Sequence, residues 1–136
     1  MSDSLPTAMR SKLMSRIRSK NTKPELVVRK LIFAAGYRYR LHVRTLPGSP
    51  DLVFPRRKKA VFVHGCFWHQ HASCDFARMP KSRVEFWEKK FSDNKKRDQS
   101  AIEMLNHAGW AVLVIWECEL SDILKLKTRI EKFLER

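Results

Sequence analysis

Residues 51–64 read Asp51-Leu52-Val53-Phe54-Pro55-Arg56-Arg57-Lys58-Lys59-Ala60-Val61-Phe62-Val63-His64. Two runs of β-branched and aromatic residues flank a proline and four consecutive cations, the composition of two strands joined at a solvated tip. The pattern predicts a hairpin. Set symmetrically about its basic tip, with Pro55 opposite Ala60, it places Asp51 opposite His64.

Upstream, Leu46-Pro47-Gly48-Ser49-Pro50 is a turn-rich break, and Tyr37 to Val43 alternates aromatic or apolar residues with Arg and His, as a half-buried strand does. Before it, Asn21 and Thr22 precede Pro24, and Leu26, Val27, Leu31 and Ile32 recur at helical spacing until Gly36. Glu25 falls in the first turn of that helix. Met9, Leu13, Met14 and Ile17 lie among Arg10, Lys12, Arg16, Arg18 and Lys20, which predicts a short basic amphipathic helix over residues 8–19, able to pack on a core or to lie on DNA.

Downstream, residues 65–80 read as an irregular loop. Residues 83–91 and 95–108 are helical stretches with room for a break near Ser92-Asp93-Asn94, and Gly109 closes the second. Trp110 to Trp116 is a near-continuous apolar run, expected in a strand covered on both faces, with Trp110 and Trp116 in the core. Leu120 to Leu134 ends the chain as a mixed-charge helix. The order ααβββααβα describes one mixed α/β domain.

A length of 136 residues fits one domain, and 43% hydrophobic residues suffice for a core. No apolar run approaches the roughly 18 residues of a membrane span, and Met1 to Pro6 lacks the features of a signal peptide. A soluble, cytoplasmic protein is expected. The formal net charge is +14, and it is polarised. Residues 1–44 hold 11 basic and 2 acidic side chains, residues 45–100 hold 12 and 6, and residues 101–136 hold 5 and 6. The first two thirds are therefore the face expected to meet a polyanion, of which nucleic acid is the commonest in a cell.

The unusual chemistry is concentrated in residues 64–74, His-Gly-Cys-Phe-Trp-His-Gln-His-Ala-Ser-Cys, which hold three of the five His and two of the three Cys. Cys66, His71 and Cys74, with Cys118 after the apolar strand, make a Cys3His set suited to tetrahedral Zn2+. Separate inert thiols are the plainer reading, and a disulfide is disfavoured by the odd cysteine count. Asp51 is a carboxylate able to hold Mg2+ beside His64 and His69, a combination suited to metal-assisted phosphodiester hydrolysis, and Glu25 offers a second carboxylate. Taken singly, Asp51 reads as a turn cap and His64 as a satisfied core histidine. Phe67, Trp68 and Trp87 could pack beneath the loop or wedge between base pairs.

The run His64-Gly65-Cys66-Phe67-Trp68-His69, with Pro80-Lys81, Glu85-Phe86-Trp87, Arg97-Asp98, Gly109-Trp110 and Val114-Ile115-Trp116-Glu117-Cys118, resembles the very-short-patch-repair (Vsr) DNA mismatch endonucleases. Arg10-Ser11-Lys12, Met14, Ile17, Thr22, Glu25, Pro47-Gly48 and Pro50-Asp51 match as well, so the resemblance covers about residues 8–120. It implies a single domain over residues 1–136, with a DNA-contacting N-terminal helix at about 1–20 and a nuclease core at about 24–136. The implied core is a mixed sheet flanked by helices, like that of the PD-(D/E)xK restriction nucleases, with a structural zinc. The implied activity is Mg2+-dependent nicking of double-stranded DNA 5′ to the thymine of a T:G mismatch, which arises when 5-methylcytosine deaminates. A monomer and a functional link to a cytosine-5 DNA methyltransferase follow by the same analogy.

Residue by residue, the resemblance makes Asp51 the Mg2+-binding carboxylate, joined by the backbone carbonyl of Val63. His69 becomes the general acid/base, supported by His64 and Glu25, and Cys66, His71, Cys74 and Cys118 the zinc ligands. Phe67, Trp68 and Trp87 form the aromatic wedge, while Met14 and Ile17, with Arg10 and Lys12, belong to the N-terminal helix gripping the other groove. Two departures stand out. Ala72 and Ser73 separate His71 from Cys74 where the family has one residue, and Phe62-Val63-His64 stands where a restriction nuclease has Glu-x-Lys. The rival readings are a non-catalytic zinc-stabilised DNA-binding module and an ordinary dimeric restriction endonuclease.

Overall fold

A computed structural model describes residues 21–136. The helix expected over residues 8–19, with Arg10, Lys12, Met14 and Ile17, lies outside the described residues. Helix α1 spans Lys23–Ala34: Thr22 caps it by accepting from the Glu25 amide at 3.3 Å, and Pro24 sits in its first turn. Strands β1 (Arg40–Leu41), β2 (Leu52–Phe54), β3 (Lys59–His64) and β4 (Ala111–Trp116) form one sheet in that order, with β1–β2 and β2–β3 antiparallel and β3–β4 parallel. Helix α2 (Val84–His107) makes the crossover from β3 to β4, and α3 (Ile123–Glu135) ends the chain. Among the described residues no helix is long and apolar enough to cross a membrane.

Strand alternation divides the core into two layers. Leu52 and Phe54 of β2, Val61 of β3, and Leu113 and Ile115 of β4 pack with Val28 and Ile32 of α1 and Leu126, Ile130, Phe133 and Leu134 of α3. On the opposite face Ala60 and Phe62 meet Ala101 and Leu105 of α2, flanked by Trp110, Val112 and Val114. The apolar β4 is thus covered on both sides, as its sequence predicts. Parity puts Asp51, Phe62 and His64 on the α2 side, where the helix roofs the site.

Three expectations are corrected. The hairpin register pairs Leu52 with Val61, Val53 with Ala60 and Phe54 with Lys59, two residues away from the symmetric pairing, so Asp51 does not face His64. The reason is Lys59, which belongs to the strand and not to the tip. Its ammonium is buried and donates to the carbonyls of Phe133, Leu134 and Arg136 at the end of α3. A two-residue shift keeps every side chain on its predicted face, which a one-residue slip would not. The strand expected over Tyr37–Val43 shrinks to Arg40–Leu41, because His42 turns out of it with φ of 47°. Helix α2 runs unbroken for 24 residues through Ser92-Asp93-Asn94, since polar residues without Gly or Pro do not stop a helix.

The loop before Asp51 is fixed by a glycine. Gly48 has φ of +75°, and a Cβ there would lie 2.7 Å from the Ala101 Cβ and 3.1 Å from the Phe62 ring. Only a residue without a side chain lets this loop close on α2 and β3.

Candidate active site and metal-ligand cluster

The loop after β3 folds back on the end of β4 and brings Cys66, His71, Cys74 and Cys118 together, with their donor atoms all within 4.8 Å of one another. His71 Nδ1 lies 3.7 Å from the Cys66 sulfur and 3.4 Å from the Cys118 sulfur. Zinc bonds of about 2.3 Å to sulfur and about 2.0 Å to nitrogen, at tetrahedral angles, separate such atoms by roughly 3.6 Å, so the donor set fits that ion. All three cysteines are free thiols. Burial pushes the Cys66 thiol up to about 12, and burial raises Cys118 as well, so neither is a thiolate at neutral pH without a cation. Trp116 is half-buried and stacks its ring on His71 at 4.1 Å, which makes it a wall of this cluster and not the core residue its sequence position predicts.

A cavity of about 340 Å³ lies between the end of β3, the loop before β2 and helix α2. Asp51, Val63, His64, His69, Asn94, Arg97 and Asp98 line it. Asp51 Oδ2 accepts the Val63 amide at 2.7 Å. Burial raises the Asp51 carboxyl to about 7, the Val63 hydrogen bond opposing and the nearby Glu25 adding to the rise. Glu25, Asp51 and His42 bring ligand atoms within 4.8 Å of one another. Glu25, although on a different element, therefore does reach Asp51. It is 1% exposed, held by the Asn21 amide at 2.9 Å and by His42 Nε2 at 2.7 Å, with the Arg29 guanidinium 3.6 Å away.

The two histidines stack, with ring centroids 3.8 Å apart and planes 2° from parallel. Burial, with His69 alongside, drops His64 to about 3, so its imidazole is neutral across the physiological range. Its Nδ1 is buried with no hydrogen-bond partner among the described residues, the state of a group that awaits something the protein itself does not supply. His69 Nδ1 meets Asp98 Oδ2 at 2.6 Å. A carboxylate at Nδ1 fixes the ring and leaves Nε2 as the nitrogen not used by Asp98, the base-and-orienter arrangement of many hydrolytic sites.

Phe67, Trp68 and Trp87 do form one aromatic group. Phe67 is edge-on to Trp68 at 5.2 Å and to Trp87 at 5.5 Å, and Phe91 supports it from below at 5.2 Å. The three rings are half-buried, neither sealed in a core nor fully free.

Sequence reading passed over Asp98, His42, Asn94 and Arg97 as site residues. For two of them a signal existed. Phe91, Asn94, Asp98, Ala101 and Leu105 follow alternating steps of three and four, the spacing of one helix face, and Phe91, Ala101 and Leu105 are buried. Polar residues on an apolar stripe are there for a partner. His42 carried no such mark, because its role depends on the turn that ends β1.

A family model described as DNA mismatch endonuclease Vsr matches residues 2–75. The type II nicking enzyme V.XorIIP of Xanthomonas oryzae pv. oryzae is 48% identical over 135 residues, which cover 99% of this chain and 98% of the relative. The type II nicking enzyme V.NmeAIP of Neisseria meningitidis serogroup A is 41% identical over 98% of this chain and 95% of its own. The DNA mismatch endonuclease Vsr of Escherichia coli K12 is 39% identical over 93% of this chain and 80% of its own. With the family match spanning more than half the chain and these relatives nearly all of it, the protein belongs to the Vsr family of DNA endonucleases.

Proposed function

We propose that this endonuclease nicks one strand of double-stranded DNA 5′ to the thymine of a T:G mismatch, in a Mg2+-dependent hydrolysis that starts very short patch repair after 5-methylcytosine deamination. The observation that carries the reading is the single cavity shared by Asp51, His64, His69 and Asp98. In an extended residue N–H and C=O point to the same edge, so the Val63 carbonyl shares the Asp51 side of β3 with the amide bonded to Oδ2. Carboxylate and carbonyl are both hard oxygen donors of the kind Mg2+ prefers. Bound there, Mg2+ supplies charge stabilisation to the phosphate under attack. Glu25 adds negative charge beside Asp51 and is itself anchored by His42 and Asn21.

His69, oriented by Asp98, moves the proton through Nε2. His64 stays neutral and packs the His69 ring in place. The core reads as PD-(D/E)xK-like, with Asp51 just before one hairpin strand and His64 ending the next in the lysine's stead. Cys66, His71, Cys74 and Cys118 hold a structural zinc. Phe67, Trp68 and Trp87 enter one groove as a wedge, while Met14 and Ile17, with Arg10 and Lys12, grip the other. A monomer suffices for a single nick, and a cytosine-5 DNA methyltransferase acting at the same sites is the natural functional partner.

Purified protein is expected to cut one strand of a T:G duplex with Mg2+ and to leave it intact in EDTA. Equal cutting of a matched duplex overturns the mismatch assignment. Asp51→Ala should abolish nicking and leave DNA binding largely in place, and retained nicking removes Asp51 from the chemistry.

A further inference from the structure

Helix α2 grips the wedge loop at two successive positions. The side-chain nitrogen of Asn94 donates to the Trp68 carbonyl at 3.1 Å, and Asp98, one turn on, holds the ring of His69 at 2.6 Å. Asn94 is 5% exposed, and its other amide atom is also used: Oδ1 accepts from Arg97 Nη2 at 2.8 Å. One buried carboxamide thus ties the backbone of the wedge to a guanidinium. Arg97 Nε lies 3.4 Å from the Asp93 carbonyl, and Nη1 has no partner among the described residues.

Arg97 is the only Lys or Arg among the residues that line the cavity, which also holds Asp51 and Asp98. Two carboxylates repel a phosphodiester, so a site that receives one needs fixed positive charge from the protein as well as from a metal. Arg97 forms no ion pair among the described residues, and a guanidinium offers a planar fork matched to phosphate oxygens.

We infer that Arg97 binds a nonbridging oxygen of the phosphodiester being cut, and that Asn94, anchored to the Trp68 carbonyl, is the positioning residue that holds the Arg97 guanidinium. The inference rests on the reading of this cavity as the active centre. The Asn94 carboxamide does both jobs at once, its nitrogen donating to a carbonyl and its oxygen accepting from an arginine.

The test uses full-length protein, Mg2+ and single-turnover nicking of a T:G duplex whose scissile phosphate is either normal or carries sulfur at one nonbridging oxygen, in each diastereomer. Arg97→Ala should slow the normal substrate about 100-fold while weakening binding less than about tenfold, as for loss of one transition-state donor. With one diastereomer the same substitution should cost at least about tenfold less, because sulfur has already weakened the contact. Asn94→Ala should reproduce that loss of coupling, and Asn94→Asp, which keeps the acceptor, should retain it. If Asn94→Ala does not fold, Asn94→Leu, closer in volume, takes its place. Parent-like nicking by Arg97→Ala, or an equal loss on all three substrates, overturns the role of Arg97. Full coupling in Asn94→Ala or Asn94→Leu overturns that of Asn94. Asp51→Ala runs alongside: if it still nicks, the reading of the cavity has failed, whereas an inactive Asp51→Ala beside a parent-like Arg97→Ala means that only the present inference has.

Discussion

Asp51 gives the metal-free protein one component of its pH dependence. Burial lifts its carboxyl from 3.8 to about 7, so the folded chain holds this proton more tightly than the unfolded one. The stability it confers is complete below about pH 4 and is lost as pH rises through 7, because ionisation then buries a charge. Asp51→Asn, which keeps an acceptor for the Val63 amide and never ionises, should melt higher than the parent at pH 8 in EDTA. The gap should close by pH 4. Melting curves offset equally at both pH values would show that the charge is not what burial penalises. Asp51, His64, His69 and Glu25 were legible as candidates because carboxylates and imidazoles in a basic chain suit metal-assisted phosphodiester hydrolysis, but singly they read as ordinary structural residues and their roles came from the family resemblance. Asp98 carried the spacing of a buried helix face but not the identity of its partner, 29 residues away, and His42 carried no mark at all, because it acts through Glu25, 17 residues away, which only folding brings within reach.

At the scale of elements, the hairpin was readable but its register was not. Periodicity of two marks which residues share a face, and that part held; the turn length is decided elsewhere, by Lys59 reaching the end of α3. Lys59→Met keeps the stem and removes the donor, leaving the buried Phe133 carbonyl without it, while the Leu134 carbonyl keeps Arg57. It should cost about 1–3 kcal/mol, the usual penalty for stranding buried acceptors. Urea denaturation checks this, and an unchanged midpoint would mean that water caps the helix equally well. The loop of residues 65–74 depends on a different tie, from Cys66 and His71 across to Cys118. Metal analysis is expected to find about one zinc per chain, and Cys118→Ser to lose zinc and melt lower. A zinc-free, fully stable protein would return the three cysteines to being ordinary thiols. The longer His71–Cys74 spacing is absorbed at Ser73, whose φ of 56° turns Cys74 back toward the other donors.

At the scale of the whole molecule, the net charge of +14 is concentrated in the first two thirds of the chain. Binding that neutralises about 6–10 phosphates gives log K against log salt a slope of roughly −5 to −9. Filter binding or anisotropy from 50 to 200 mM salt tests this, and a slope near zero would refute a phosphate-binding role for the basic region. The α/β class, the two-sided burial of β4 and the identity of the four zinc-ligand candidates were determined by sequence alone. Hydrophobic periodicity and residue chemistry are local properties, readable along the chain. What only the tertiary structure decided is which residues meet: Glu25 with Asp51, Asp98 with His69, Asn94 with Trp68, Lys59 with the end of α3. Those contacts join elements far apart in sequence, and their partners are chosen by how the helices pack on the sheet, which no local pattern encodes.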